Sequence, residues 1–369
     1  EILSETTVLE AVCGRICPHT KQCEGSCVRG IKSNPVSIGE LEALVGDISI
    51  KENYKIPQNN ISNKNKKIAI IGGGPAGLTA SAFLLKEGYS VTLYEKYNYL
   101  GGLLVHGIPE FRLPKNTVKD TIQKIIDLGL EVKYNMELGK DFSIQELESK
   151  YDAIFLAFGA NISTKMGIDG EDLEGVYGGN QLLEYNNHPD YKNKKVAIIG
   201  GGNVAMDCAR TVKKLGAEEV SVIYRRSEEQ MPAETKEIEE AKEEGIKFIF
   251  QNNLVKILGN NKVEQIELIK TELVQKKGET RKSPVNIPDS NYIIDMDYVI
   301  MALGSHPEQF VSQLGLELNE KGYIKIDENN RTSSEKIFAG GDLAGAKGTV
   351  AWAARSGRDT AEAIIKYLS

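Results

Sequence analysis

The sequence predicts an α/β protein with two Rossmann-like dinucleotide-binding domains, the second inserted in the first, behind a short α-helical cysteine-rich N-terminal segment. Three observations carry this. A strand, glycine turn, helix and strand at residues 66–96 recur at residues 194–226, with Gly72 matched to Gly200. Two apolar runs closing on alanine, one large apolar residue and glycine, at 151–159 and 298–304, bracket the second copy. Four cysteines, Cys13, Cys17, Cys23 and Cys27, crowd into one short window ahead of both copies.

The first copy, KKIAIIGGGPAGLTASAFLLKEGYSVTLYEK, reads as one βαβ unit. Residues 68–71 form an apolar run suited to a buried parallel strand, and a helix-compatible segment follows the glycines. Gly72, Gly74 and Gly77 stand at GxGxxG spacing. The first allows a tight turn, the second lets backbone approach a pyrophosphate, and the third lets the helix pack close to the strand. The helix N-terminus then offers free N–H groups and its positive dipole end to the phosphates. The second strand ends in Glu95, where a carboxylate can accept hydrogen bonds from a ribose diol.

Composition narrows the class. At 369 residues and 41% hydrophobic content the chain can bury two or three cores. A net charge of -7 with both signs mixed gives no support to a nucleic-acid or membrane-surface partner. No apolar stretch approaches the length of a membrane span. The chain starts at Glu1 without Met and without a basic-then-apolar leader, which reads as a piece of a longer, soluble, cytoplasmic protein. An intracellular enzyme has little use for disulfides, so the cysteine window points to metal or iron–sulfur ligation. Read locally it is a four-cysteine site for zinc or one cluster, with His19 as a substitute ligand. Cys208, alone on a predicted helix, reads as a small buried apolar residue.

The predicted boundaries are 1–62 for the cysteine-rich segment, 63–161 with 302–369 for the first dinucleotide domain, and 162–301 for the second. Residues 4–12 suggest a short helix and Ser37 a second helix start. The polar stretch 58–65, QNNISNKN, is the linker candidate. Residues 97–115 form a long loop rich in Gly and Pro, and such loops inside a compact unit are usually functional or disordered. Its Arg112, set between apolar residues and prolines, suits an ordered flap reaching a bound anion or ring. Residues 117–128 have the pattern of an amphipathic helix.

The second copy, KKVAIIGGGNVAMDCARTVKKLGAEEVSVIYRR, carries Gly200, Gly202 and Ala205, an accepted variant of the spacing. Where the first copy closes on Glu95, this one closes on Arg225 and Arg226. A guanidinium pair suits a ribose 2′-phosphate, which an acid would repel, so the second site should prefer NADP(H). Residues 234–244 read as a charged helix with a solvated face. Residues 263–287 read as an appended β-hairpin turning at 276–279. Near the end, a strand to Ala339 leads to Gly340, Gly341 and Asp342, and a helix starts near Thr349, a second N-terminus able to face a cofactor.

Together GGGPAGL, the GIPEFRLPK loop, GGGNVAMD with YRR, and IFAGGD with GTVAWAARSGR resemble the small (beta) subunit of NADPH-dependent glutamate synthase and its relatives. Those relatives include the large subunit of NADH-dependent ferredoxin:NADP oxidoreductase and the N-terminal half of dihydropyrimidine dehydrogenase. The resemblance implies FAD on the first unit, NADPH on the second and 4Fe–4S clusters on an N-terminal helical domain. It implies FAD contacts at Gly72, Gly74, Ala76, Gly77, Glu95, Gly102, Arg112, Leu138, Gly341, Asp342, Thr349 and Val350. It implies NADPH contacts at Gly202, Asn203, Val204, Ala205, Arg225, Arg226, Ala302 and Gly304. VCGRICPHTKQCEGSC is similar to the second half of the family's cluster domain, which implies Cys17 and Cys23, with Glu42, for one cluster and Cys27 for the other. Cys13 falls on a position that is not a ligand. The family's earlier run of cysteines is absent from this sequence, so neither cluster is completed by it alone.

Hydride transfer between nicotinamide and flavin needs close stacking and no side-chain acid or base, so no catalytic side chain is expected. A disulfide reductase would need a CxxC pair after the first unit, and none occurs. The expected electron acceptor is a glutamate synthase large subunit, another accepting subunit or a ferredoxin. A part of a ferredoxin:NADP oxidoreductase or sulfide dehydrogenase, and a flavin-bearing docking subunit without chemistry of its own, are the alternatives.

Overall fold

A computed structural model describes residues 2–59, 64–275 and 281–369. The chain divides into two units, Glu1–Ala160 with His306–Ser369, and Asn161–Ser305.

The first unit opens with α1 (Glu10–Ile16) and α2 (Ile38–Lys51). These two helices cross closely because glycine stands at both contacts. A Cβ on Gly14 would lie 2.3 Å from the Ala43 nitrogen, and one on Gly46 would lie 2.5 Å from the Ala11 backbone. Arg15 locks the crossing with two hydrogen bonds to the Asp47 carboxylate, at 2.8 and 2.7 Å. Then come β1 (Lys67–Ile71), α3 (Pro75–Lys86), β2 (Ser90–Tyr94), α4 (Leu103–His106), α5 (Lys115–Ile126), β3 (Glu131–Lys133), α6 (Ile144–Lys150) and β4 (Ala153–Leu156). Pro75 sits at the first helical position of α3, where a missing N–H costs nothing. Ser143 and Glu146 form a reciprocal capping box on α6.

The second unit runs β5 (Ile162–Ser163), β6 (Val176–Gly178), α7 (Gly179–Tyr185), β7 (Lys195–Ile199), α8 (Asn203–Lys214), β8 (Glu219–Tyr224), α9 (Thr235–Glu243), β9 (Lys247–Phe250), β10 (Asn252–Leu258), β11 (Gln265–Val274), β12 (Ser283–Asp295) and β13 (Tyr298–Met301). After β14 (Ser305–His306) the chain completes the first unit with β15 (Ile337–Ala339) and α10 (Val350–Leu368).

Each unit holds a five-stranded parallel sheet. The orders are β15-β4-β1-β2-β3 and β6-β13-β7-β8-β9. In both, the first strand of the repeat is central and buried on two faces, which explains its unbroken apolar run. Ile68 and Ile70 of β1 join one core with α1, α3, α5 and α10, while Ala69 and Ile71 join the core on the other face. Val196 and Ile198 of β7 pack with α8 and α9, and Ala197 and Ile199 pack with the antiparallel sheet β10-β11-β12. Burying one such isoleucine contributes roughly 1.5–3 kcal/mol.

The N-terminal segment is sewn to the first unit. Val8, Leu9, Val12, Ile16 and Ile56 belong to the same core as Ile68 and Leu84. The buried Lys86 on α3 donates to the Ser4 carbonyl at 2.6 Å. The predicted linker at 58–65 includes residues 60–63, which lie outside the described ones, as does the predicted hairpin turn at 276–279. The hairpin strands are β11 and β12, and the sequence reading missed their third partner, β10. Cys208 is buried, as read, and burial pushes its thiol well up.

The predicted solvated helix at 234–244 needs correcting. The acids on and just after α9 grip Arg210 of α8, whose side chain is buried. Arg210 reaches Glu237 at 2.6 Å, Glu240 at 2.7 Å and Glu244 at 3.0 Å. Burial pushes the Glu244 carboxyl up, but hydrogen bonds from Arg210 and Lys214 outweigh it and hold the group below its ordinary range. A depressed carboxylate stabilises the fold above its unfolded pKa, and that contribution is lost as pH falls through the folded value. Arg210→Ala should therefore cost about 3 kcal/mol at pH 7, because three carboxylates lose their cation. Urea melts should show the gap from the parent narrowing as pH falls through the lowered Glu244 value; a constant gap would mean the ion cluster is not its source.

Candidate functional site

In the first unit the glycine turn follows β1 directly. Gly72 takes φ +104°, and a Cβ there would lie 2.6–2.8 Å from Ala157 and Phe158, just past the end of β4. Gly77 brings α3 back against the turn, since its Cβ would lie 2.0 Å from the Gly72 carbonyl oxygen. By contrast, a Cβ on Gly74 would meet nothing within 4 Å. That glycine therefore borders open space at the N-terminus of α3, where a phosphate would be met by free N–H groups.

The loop after β2 closes over this turn. Gly101 donates to the Gly73 carbonyl at 2.8 Å, and a Cβ on Gly102 would come within 3.2 Å of the Gly74 Cα. Glu95 is buried and accepts from the Gly73 N–H at 2.8 Å and the Tyr97 N–H at 3.0 Å. Each oxygen keeps a further lone pair for a hydroxyl. Burial pushes its carboxyl up, against the pull of those N–H groups. Lys115 tethers the rest of the loop to the Leu104 and Ile108 carbonyls.

The C-terminal segment meets the same helix. A Cβ on Gly341 (φ +63°) would lie 3.2 Å from the Ala76 Cβ, and Gly357 of α10 packs on the Ala76 carbonyl. Ser356 accepts from the Gly341 N–H at 2.9 Å, a contact no sequence signal marks. Asp342 has a buried Oδ1 without a hydrogen-bond partner, and burial pushes its carboxyl up to about 6. A buried acceptor left unmatched beside a glycine cradle fits a bound hydroxyl or N–H of a cofactor. Thr349 caps α10 by accepting from the Trp352 N–H at 3.4 Å, with Val350 opening the helix. Leu138 is buried in the same core as Tyr94, and Arg112 is half-buried in its loop. The structure thus brings together Gly72, Gly74, Ala76, Gly77, Glu95, Gly102, Gly341 and Asp342.

The second unit repeats the arrangement with other charges. Gly200 takes φ +141°, and its Cβ would lie 2.2 Å from the Ala302 carbonyl oxygen past β13. Ala205, fully buried in α8, shows that this helix tolerates a methyl where α3 needs glycine. Gly202 borders open space except for Pro232, 3.9 Å from a Cβ there. Asn203 accepts from the Glu234 N–H at 3.0 Å, and Ala233 donates to the Gly201 carbonyl at 3.1 Å, so residues 233–234 are pinned beside the turn. Val204 is half-buried, and the Gly304 carbonyl accepts from the Thr164 N–H at 2.9 Å. Arg225 is exposed and Arg226 half-buried, and neither has an acidic partner among the described residues. Arg226 donates from Nε to the Lys282 carbonyl at 3.3 Å.

The cysteine window is different. Cys13 and Cys17 are buried at the end of α1, Cys23 is exposed, and Cys27 is half-buried. Among the described residues, no three His, Cys, Asp or Glu side chains are grouped so as to hold a metal ion. Neither Cys17, Cys23 and Glu42, implied for one cluster with Cys27 for the other, nor the four-cysteine set with His19 is gathered into a site among the described residues. The His19 ring instead packs on Gly39, and its Nε2 is buried without a partner. Burial and the nearby Glu10 push the Glu42 carboxyl up to about 7. A cluster does not fit the ligands this chain presents alone, and no step is derived through one.

Asp342 supplies a test of the first site. Its folded pKa of about 6 lies above the unfolded value, so the cofactor-free protein should gain about 1 kcal/mol from this group between pH 7 and pH 5. Asp342→Asn should remove that gain and stabilise the cofactor-free protein at pH 7, read by melts across the range. An unchanged pH profile would show that the carboxyl is solvated.

Comparison with known proteins agrees with this architecture. Residues 66–359 match the family model of the pyridine nucleotide-disulphide oxidoreductases, and residues 1–54 match that of dihydropyrimidine dehydrogenase domain II, 4Fe-4S cluster. The chain is 35% identical over 386 residues to the glutamate synthase (NADPH) small chain of Halomonas elongata, covering 100% of this chain and 82% of that one. Against the Escherichia coli protein of the same name it is 34% identical over 389 residues, with the same coverage. Among solved structures it shares the fold of Mycobacterium tuberculosis FprA in complex with NADPH, with a TM-score of 0.73 and 23% identity over 82% of this chain and 84% of that one. No helix among the described residues is long and apolar enough to cross a membrane. On matches that span its two glycine turns and reach into its cysteine window, the chain belongs to the pyridine nucleotide-disulphide oxidoreductases and, within them, to the glutamate synthase small chains.

Proposed function

We propose that the protein is an FAD-dependent NADPH oxidoreductase that passes electrons to a partner subunit. The single observation that carries this is the charge closing each repeat: a buried acid, Glu95, in one, and in the other two arginines, Arg225 and Arg226, without acidic partners among the described residues. A ribose diol is a hydrogen-bond donor suited to the first. A 2′-phosphate is a dianion suited to the second.

In this reading residues 63–161 with 302–369 hold FAD and residues 162–301 hold NADPH. Gly72, Gly74, Ala76, Gly77 and Gly102 form the cradle for the FAD pyrophosphate, and Glu95 takes the adenosine ribose. Gly341, Asp342, Thr349 and Val350 lie toward the flavin end, with Arg112 and Leu138 completing the contacts. Gly202, Asn203, Val204 and Ala205 cradle the NADPH pyrophosphate, Arg225 and Arg226 take the 2′-phosphate, and Ala302 and Gly304 line the way past β13. Bound together, the two cofactors would supply hydride transfer from nicotinamide to flavin and onward single-electron delivery. The chain's own residues orient and neutralise: N–H groups at two helix starts meet phosphate charge, and Asp342 gains the partner it lacks. No side-chain acid or base is required. For the acceptor we propose a glutamate synthase large subunit, with a ferredoxin or another accepting subunit as the alternatives, in the cytoplasm. An iron–sulfur centre on residues 1–54 would need ligands beyond those gathered here.

The test is anaerobic reduction of the flavin-loaded protein, followed by loss of flavin absorbance. NADPH should bleach the flavin at a catalytically useful rate and NADH much more slowly. Arg225→Gln with Arg226→Gln should raise the half-saturating NADPH concentration by roughly 10- to 100-fold while leaving NADH nearly unchanged. A flavin that NADPH does not bleach would favour a docking subunit without chemistry of its own.

A further inference from the structure

The corner that follows β8 holds more positive charge than its two arginines. Residues 281 and 282, just before β12, arrive there from far along the chain and are tied to it by three hydrogen bonds. Arg281 donates from Nη2 to the Tyr224 hydroxyl at 3.0 Å and to the Gln230 carbonyl. The Lys282 carbonyl accepts from Arg226 Nε at 3.3 Å. Tyr224 is itself fixed, donating to the same Gln230 carbonyl at 2.8 Å. Its ring lies on the glycine turn, where a Cβ on Gly201 would come 2.7 Å from Cδ2. Arg281 is therefore held against the turn through an aromatic ring that touches it.

The charge balance of this corner is unusual. Arg225, Arg226, Arg281 and Lys282 have no acidic partner among the described residues. The nearest acid in sequence with an ion pair, Glu228, is engaged by Lys242. Elsewhere in this unit the buried Arg210 is matched by three glutamates. Like charges drawn together raise the free energy of the corner, and a bound dianion relieves it. With Nη2 committed to two oxygens, Arg281 keeps Nη1 and Nε as donors for an anion.

We propose that Arg281 is a third cationic ligand of the NADPH 2′-phosphate, delivered by the β11–β12 hairpin. The inference rests on the reading that the second unit holds NADPH. It makes the antiparallel sheet part of cofactor discrimination as well as a cover for the parallel sheet. Being exposed, Arg281 contributes less than a buried arginine would, since solvent screens it.

The experiment titrates NADP+ and NAD+ separately into the flavin-loaded protein and its Arg281→Gln and Arg281→Lys variants, at low and high salt, with melting followed throughout. Arg281→Gln should weaken NADP+ binding by about three- to tenfold, leave NAD+ within about twofold, and flatten the salt dependence for NADP+. Arg281→Lys should retain most of the NADP+ affinity. Equal weakening of both nucleotides would mean that Arg281 only anchors the hairpin, and no weakening would mean that it does not face the ligand; either overturns the proposal. If the parent protein binds NADP+ no more tightly than NAD+, and Arg225→Gln with Arg226→Gln changes neither, the underlying reading of the second unit fails along with it.

Discussion

Both units depend on one steric constraint. The glycine ending the first strand of each repeat lies against the chain leaving the neighbouring strand, Gly72 on Ala157 and Phe158, Gly200 on Ala302. No side chain fits in either gap, and both glycines take positive φ, so the turn, the helix start and the neighbouring strand end are fixed together. The neighbouring strands are β4 and β13, the same strands at which the chain passes out of the first unit and back into it. The geometry that shapes each cradle is thus also the geometry that allows one domain to be inserted into the other.

Given two such cradles, ligand identity rests on what closes them. A carboxylate buried beside the turn accepts two backbone N–H groups and still offers lone pairs to a diol. Arginines without acid partners repel one another until an anion arrives. The acids that could have neutralised them are placed elsewhere, three of them around Arg210 behind the sheet. Arg210 is paired where it supports packing, whereas Arg225 and Arg226 meet no acid among the described residues where the second nucleotide is expected.

Much of this was legible in the sequence, for physical reasons. Strands buried on both faces must be continuously apolar, glycines at fixed spacing have few other uses, and a repeat of both exposes the insertion. The charge contrast at Glu95 against Arg225 and Arg226 was readable because it follows each strand directly. What was hidden depends on distant partners. Glu237, Glu240 and Glu244 looked solvated because their partner lies one helix earlier. Arg281 looked like part of a surface hairpin because nothing local places it beside Tyr224. The apolar face of α1 was masked by Cys13 within it and Cys17 just after it, so its union with the core of the first unit could not be seen.

The central claim is that the two turns are independent cradles for two different dinucleotides. The direct measurement is the amount of each nucleotide bound, FAD and NADP+, in two single variants that place a methyl group into each turn. Gly77→Ala, whose Cβ would lie 2.0 Å from the Gly72 carbonyl oxygen, should lose FAD while NADP+ still binds; Gly200→Ala, 2.2 Å from the Ala302 carbonyl oxygen, should lose NADP+ while FAD is retained. Loss of FAD from Gly200→Ala, or of NADP+ alone from Gly77→Ala, would contradict the account.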